Sequence, residues 1–383
     1  MPTILDLKNV HDPSDVVHRA VAALAEGKTI AVPTETVYGL AASALNAEAV
    51  ERLCHVKGRE VSKPLALAVK SADDALDYVP DMSPLGRRLT RRCWPGPLTL
   101  VFPKVSSDSV VNRLPASVQQ RLGNGATLGL RVPADETLLK VLRFSRGPLV
   151  LSSANPSGGA DPRTAQDVVD SLGDEVDFVI DAGPCRFGLA STVVMIDGDR
   201  CQILREGVIA RKTLKRMANF TALMVCTGNT CRSPMAECLM KKHLAKRLGC
   251  KIDQLTERGV NVLSAGVAAA GGSAASRESI EVMANNDLDL SLHESQPVSE
   301  TLVRSADLIL TMTKSHRNAL VHHWPEAEPR TFVISDGQED VADPIGGPID
   351  YYQLCAEQIE RYVEKWVERV ALHLPEGLDD ESA

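Results

Sequence analysis

Cys226 is followed six positions later by Arg232, in the run Val225-Cys226-Thr227-Gly228-Asn229-Thr230-Cys231-Arg232-Ser233-Pro234. Five intervening residues let a loop wrap one phosphate with inward-pointing backbone N–H groups, backed by the N-terminus of the helix that Pro234 opens. Such a cradle favours the thiolate at Cys226, and the thiolate is the attacking form. Arg232 can grip two phosphoryl oxygens with its planar fork. Ser233 is placed to hydrogen-bond the sulfur as it leaves and Asn229 to brace the loop, while Thr227, Gly228, Thr230 and Cys231 complete the wrap. A phosphocysteine route also needs a group that protonates the leaving atom and then deprotonates water. Asp343 is the candidate, in the Gly/Pro-rich loop Val341-Ala342-Asp343-Pro344-Ile345-Gly346-Gly347-Pro348, although Asp-Pro is also ordinary turn chemistry.

The first half has no single dominant motif, but its cations recur beside predicted strand ends and glycines. Lys57, Arg59, Lys63, Arg131 and Arg205 could surround a polyanion. Thr36, Ser153, Asn155 and Ser191 offer hydroxyl and amide groups for a small polar ligand beside it, which together point to a nucleotide-plus-amino-acid site. Neither a Walker loop nor a dinucleotide fingerprint occurs, and Gly123-Asn124-Gly125 is a turn signal only. Arg87, Arg88, Arg91 and Arg92 on one predicted helix leave open a second reading, an RNA-contacting module without catalysis. The His322-His323 pair lacks companions at metal spacing, so no metal site is expected.

The elements that must carry these residues follow from hydrophobic period. Ser14 caps a helix that Gly27 stops, and Thr29–Pro33 reads as a buried strand. Helices at 47–54, 84–92 and 135–143 alternate with strands at 65–69, 97–101, 127–132 and 148–151. Strands at 176–180, 192–196 and 202–205 close the first half. A basic connector follows, and a second α/β rhythm starts at strand 221–225. Helix 234–248, strand 260–264, helix 274–286, strand 307–311 and the long amphipathic helix 350–372 continue it. The reading is α/β throughout: a mixed α/β domain over 1–210, a linker at 211–219, a small doubly wound parallel-sheet domain over 220–374, and an acidic tail at 375–383.

At 383 residues the chain is too long for one ordinary core, and 44% hydrophobic with 24% charged residues is a globular balance. The net charge of −8 is uneven: residues 1–220 hold 27 Lys+Arg against 25 Asp+Glu, and 221–383 hold 15 against 25. The acidic second half is a poor nucleic-acid binder. No signal peptide or membrane span is read, and nine scattered cysteines argue against a secreted disulfide framework, so a cytoplasmic protein is expected.

With Ser264-Ala265-Gly266 and Asp343-Pro344, the loop resembles the low-molecular-weight protein phosphatases over 221–372. The resemblance implies Cys226 as nucleophile, Arg232 as phosphate binder and Asp343 as general acid, acting on a phosphorylated protein without a cofactor. Tyrosine-specific members usually carry an aliphatic residue before the second loop cysteine and aromatic walls after Asp-Pro. Thr230 and Ile345-Gly346-Gly347 here resemble the protein-arginine phosphatases instead, with phosphotyrosine as the alternative substrate.

The first half, about residues 12–210, resembles the YrdC-like L-threonylcarbamoyladenylate synthases through Pro33-Thr34-Glu35-Thr36-Val37-Tyr38-Gly39-Leu40, Lys57-Gly58-Arg59, Lys63-Pro64-Leu65, Ser152-Ser153-Ala154-Asn155 and Ser191-Thr192-Val193. The resemblance implies that ATP, bicarbonate and L-threonine become threonylcarbamoyl-AMP for the tRNA-modification machinery, with Mg²⁺ accompanying the nucleotide. Thr36, Arg131, Ser153 and Ser191 would face threonine. Arg59, Lys63, Thr127, Asn155 and Arg205 would face ATP, with Lys57 and Arg163 as lesser candidates. Longer members often carry histidines where this chain has Ala68 and Asp135, and a further small domain where this chain has the phosphatase.

Overall fold

The computed structural model describes residues 2–60, 62–371, 374 and 377–378, with Ala371, Gly377 and Leu378 described by backbone alone. The tail expected over 375–383 lies outside the described residues, apart from extended Gly377–Leu378. Two compact units divide at Met217 and Ala218.

In the first unit the strands are β1 (Thr3–Asp6), β2 (Ile30–Val32), β3 (Gly39–Ser43), β4 (Ala66–Ala68), β5 (Leu98–Pro103), β6 (Thr127–Arg131), β7 (Leu149–Ser153), β8 (Phe178–Asp181), β9 (Thr192–Asp197) and β10 (Arg200–Arg205). They lie in the order β1-β8-β2-β3-β7-β4-β6-β5-β9-β10. Pairing is mixed: β2–β3, β3–β7, β4–β7 and β5–β6 are antiparallel, whereas β4–β6 and β5–β9 are parallel. Central β3, Gly-Leu-Ala-Ala-Ser, has no β-branched or aromatic residue and was not expected from the sequence. Neighbours on both sides pair its backbone, and burial leaves that backbone no water to bond instead.

Helix Pro13–Ala25 buries Val16, Val17, Ala20, Ala23 and Leu24 and packs against helix Glu136–Phe144. Its cap is Asp12 rather than the expected Ser14: Asp12 Oδ1 accepts from Ser14 N at 2.8 Å and Pro13 takes the first helical position. Asp135 likewise caps Glu136–Phe144 by accepting from Leu138 N at 2.9 Å. Residues 211–219, expected as a linker, fold as helix Arg211–Ala218, with Leu214 and Ala218 buried on one face.

The second unit has strands β11 (Phe220–Cys226), β12 (Val260–Gly266), β13 (Leu308–Thr311) and β14 (Thr331–Val333), all parallel, in the order β12-β11-β13-β14. Buried on every residue, β11 reads as the apolar run of a strand covered on both faces. Strand order reverses at β11, and a crevice beyond the strand ends is the usual ligand site of such sheets. Cys226 ends that strand. Helix Arg232–Leu248 begins two residues before the Pro234 start read from sequence and packs against helix Ile349–Ala371. Among the described residues no helix is long and apolar enough to cross a membrane.

Candidate active sites

In the first unit a cavity of about 480 Å³ opens among β3, β4, β5, β6, β7 and β9. Seven of the residues singled out from the sequence line it: Thr36, Arg59, Thr127, Arg131, Ser153, Ser191 and Arg205. Arg131, at the end of β6, donates to Thr36 Oγ1 at 3.0 Å and pairs with Glu35 Oε1 at 2.7 Å. The other Glu35 oxygen accepts from Ala134 N at 3.0 Å, so a nearly buried carboxylate fixes this guanidinium. Arg205 donates to the Ser191 carbonyl at 2.8 Å and to its hydroxyl at 3.3 Å; Ser191 Oγ also meets Thr99 Oγ1 at 3.0 Å. Arg59 donates to the carbonyls of Lys63 (2.9 Å) and Pro64 (2.7 Å).

Desolvation at the cavity wall holds the guanidiniums of half-buried Arg59 and largely exposed Arg205 below their ordinary pKa; Cys54 and Asp161 respectively oppose this, while Arg205 disfavours the cation at Arg59 and Arg131 disfavours it at Arg205. Among the described residues neither Arg59 nor Arg205 makes an ion pair, so an anion entering the cavity would answer an unbalanced field.

Four other residues assigned to ligand lie outside the lining. Lys63 is exposed in the turn before β4, 3.8 Å from Glu60. Asn155 is buried and donates to the Gly159 carbonyl at 2.7 Å, bracing the loop after β7. Lys57, also buried, donates to the carbonyls of Ser153 and Asn155, and burial together with Arg59 lowers its pKa to about 8. Arg163 is exposed and lies against Gly188. Ala68 lines the cavity with a methyl group where a larger side chain would project. Asp135 is engaged as a helix cap, and burial raises its pKa. Of the four arginines on helix Pro84–Cys93, Arg88 is buried and only Arg87 is exposed, so they do not form one solvent face. Glu35 and Thr99 are supporting residues that spacing alone did not single out, though Glu35 sits within the quoted Thr34–Thr36 segment.

In the second unit the loop after β11 turns back over the end of the sheet. Cys226 Sγ lies 2.9 Å from Ser233 Oγ and accepts from Asn229 N at 3.2 Å. Asn229 holds a left-handed backbone (φ 56°), and every polar atom of its amide is used. Nδ2 donates to Ser233 Oγ (3.0 Å) and Ser264 Oγ (2.9 Å), and Oδ1 accepts from Gln296 N at 2.9 Å. His293 Nε2 meets the Asn229 carbonyl at 2.7 Å. The loop sits so close to β12 that a Cβ on Gly266 would collide with the Thr227 carbonyl and come within 2.9 Å of Asn229 N.

Arg232 is buried, donates to the Val341 carbonyl at 3.1 Å and pairs with Asp343 Oδ2. The second guanidinium nitrogen also lies 3.4 Å from Thr227 Oγ1, which is 2.8 Å from His316 Nε2. Thus residues separated by more than a hundred positions are brought to one crevice, and Asp343 stands against the group that would hold a phosphate. The sequence reading missed His293, Gln296 and His316, each of which reaches the loop from a distant part of the chain.

Residues 22–207 match the family model of Sua5, YciO and YrdC, described as telomere recombination, and residues 221–375 match that of low molecular weight phosphotyrosine protein phosphatase. A relative from Methanocaldococcus jannaschii is 33% identical over 190 residues, covering 50% of this chain and 84% of its own. Protein-arginine-phosphatase from Geobacillus stearothermophilus is 36% identical over 155 residues, covering 39% of this chain and 96% of its own. The chain belongs to both families. Threonylcarbamoyl-AMP synthase of Pyrococcus abyssi is 35% identical over 198 residues, but the match spans only 52% of this chain and 56% of that one. The chain thus spans little more than half the length of the longer Sua5 relatives. The solved structure of a doubly substituted Sua5 from Pyrococcus abyssi shares the fold at 24% identity and a TM-score of 0.51, covering 69% of this chain and 91% of that one. In the Sua5/YrdC unit the shared segment is the one that builds the cavity; in the phosphatase unit it is the one that builds the loop.

Proposed function

We propose that the Sua5/YrdC unit joins L-threonine, bicarbonate and ATP into threonylcarbamoyl-AMP and pyrophosphate, supplying the machinery that modifies tRNA adenosine. The observation that carries this reading is the set of three guanidiniums, Arg59, Arg131 and Arg205, around one cavity beside the hydroxyls of Thr36, Ser153 and Ser191. Arg59 and Arg205 face the phosphates, and Thr127 lines the nucleotide side. Arg131, held by Glu35, faces the threonine carboxylate. Lys57 and Asn155 shape the loop that presents Ser153. Among the described residues no carboxylate or imidazole cluster suits a metal, so Mg²⁺ would enter ligated by the triphosphate. Pyrophosphate release measured with each substrate withheld in turn tests this. Release independent of threonine sinks it, and RNA binding without turnover favours a binding module.

The phosphatase unit, on the same proposal, hydrolyses protein phosphoarginine. Cys226 sulfur attacks phosphorus, the P–N bond breaks as Asp343 protonates the departing guanidine, and water, deprotonated by Asp343, then displaces the sulfur while Ser233 hydrogen-bonds it. The dianion takes Arg232, which frees Asp343 for the acid role. Thr230 and the slim Ile345-Gly346-Gly347 wall favour a polar guanidinium over a phenyl ring. Thr230→Ile shifts relative kcat/KM toward phosphotyrosine peptides; an unchanged ratio removes the arginine assignment. Nine free cysteines and the demand for ATP fit a cytoplasmic setting.

A further inference from the structure

His316 lies at the third position of helix Lys314–His323, its backbone N–H capped by Thr313 Oγ1 at 3.1 Å. Its ring is buried, 7% exposed, and Nδ1 has no hydrogen-bond partner. Nε2 lies 2.8 Å from Thr227 Oγ1, the hydroxyl of the residue that follows Cys226. That hydroxyl also receives Arg232 Nη2 at 3.4 Å. A guanidinium nitrogen only donates, so the Thr227 oxygen accepts from it; in the Nδ1–H tautomer of His316 the hydroxyl proton goes to Nε2. In that tautomer the ring's own proton lies on Nδ1, which has no partner.

We propose that His316 is a positioning residue of the phosphatase site: acting through the Thr227 hydroxyl, it orients the Arg232 guanidinium that binds the phosphoryl group. The inference rests on the phosphatase reading. Two observations support it independently of the hydrogen-bond chain. A buried ring with one nitrogen unsatisfied is costly, and a plain apolar filler at this place would avoid that cost. Burial and the neighbouring Arg232 charge, against the weaker pull of Asp343 and Asp340, also hold the imidazole pKa down to about 4, so the ring stands neutral beside the Arg232 cation at neutral pH.

The test uses the full chain, with inorganic phosphate as probe in titration calorimetry and a phosphorylated substrate for turnover. His316→Phe keeps the ring volume and removes both nitrogens; phosphate binding should weaken about tenfold. Thr227→Val breaks the same chain at a solvent-facing loop residue and should do the same, and the double variant should be no weaker than the weaker single variant. His316→Gln, which places an amide near the Nε2 position, should recover binding to within about threefold of wild type, a rescue that space-filling alone does not produce. Losses that multiply, a phenylalanine variant that binds like wild type, or a glutamine variant as weak as phenylalanine would each overturn the proposal. Should the phenylalanine variant not fold, Thr227→Val with wild-type affinity has the same force. Wild-type protein that binds phosphate yet turns over no substrate defeats the catalytic reading and leaves the binding comparison standing.

Discussion

Desolvation at the cavity wall and the neighbouring Arg131 disfavour the charge of Arg205, while Asp161 favours it in part, so the guanidinium of this largely exposed residue contributes little to the fold. Arg205→Met should therefore leave unliganded stability within about 1 kcal/mol of wild type or above it. ATP-dependent pyrophosphate release should fall at least tenfold, and parallel loss of both would contradict this account. Lys57 makes the opposite case, with a chain-bracing role and a displaced proton. Its folded pKa of about 8 lies below the ordinary 10.5, so the unfolded chain binds more protons between those values and stability rises with pH across that window. Urea midpoints of wild type should climb between pH 8 and pH 10 relative to Lys57→Met; equal slopes would show the ammonium is not desolvated. For Asp343, the contact with Arg232 implies competition with an incoming anion. Asp343→Asn should bind inorganic phosphate more tightly while turnover falls by about 10²–10⁴.

Among the elements of the phosphatase unit, β12 and the phosphate loop approach so closely that a Cβ at Gly266 would overlap the Thr227 carbonyl. Gly266→Ala puts a methyl against backbone, which cannot rotate away, so the Thr227–Asn229 segment must shift. We expect at least a tenfold loss of kcat/KM with melting of the unit lowered only slightly; an active variant would show that the loop has slack. Much of this element was legible beforehand. A strand, a Cys-to-Arg spacing and a proline-opened helix are local signals, and they located Cys226, Asn229, Arg232 and Ser233. His293, His316 and Gln296 were not legible, because their role arises from parallel crossovers that return distant segments to the ends of β11, β12 and β13. In the Sua5/YrdC unit the long β-branched strands were visible, while β1 and Gly-Ala-rich β3 were not, their pairing being decided by neighbours rather than propensity. Likewise residue type offered Lys63 and Asn155 as ligands, while the folded turn adds what spacing could not give, Lys63 exposed beside Glu60 and Asn155 donating to the Gly159 carbonyl.

At the scale of the whole molecule, each unit owns its core. One cluster joins Val16, Leu24, Ile30, Leu138 and Ile180, and another joins Met224, Leu239, Val262, Leu310 and Ile359, without shared members. Residues 1–217 and 218–374 should accordingly fold when expressed apart. Calorimetry of the full chain should show two transitions, and inorganic phosphate should raise the one belonging to the second unit without merging the two. A single transition moved as a whole by phosphate would refute this. The all-parallel order β12-β11-β13-β14 bears on how the protein is made. During translation Cys226 emerges first, but the strands flanking it come later, and Asp343, which pairs with Arg232, later still. A ribosome paused between those points therefore holds a finished Sua5/YrdC unit upstream and, downstream of it, a bare thiol whose loop has yet to close.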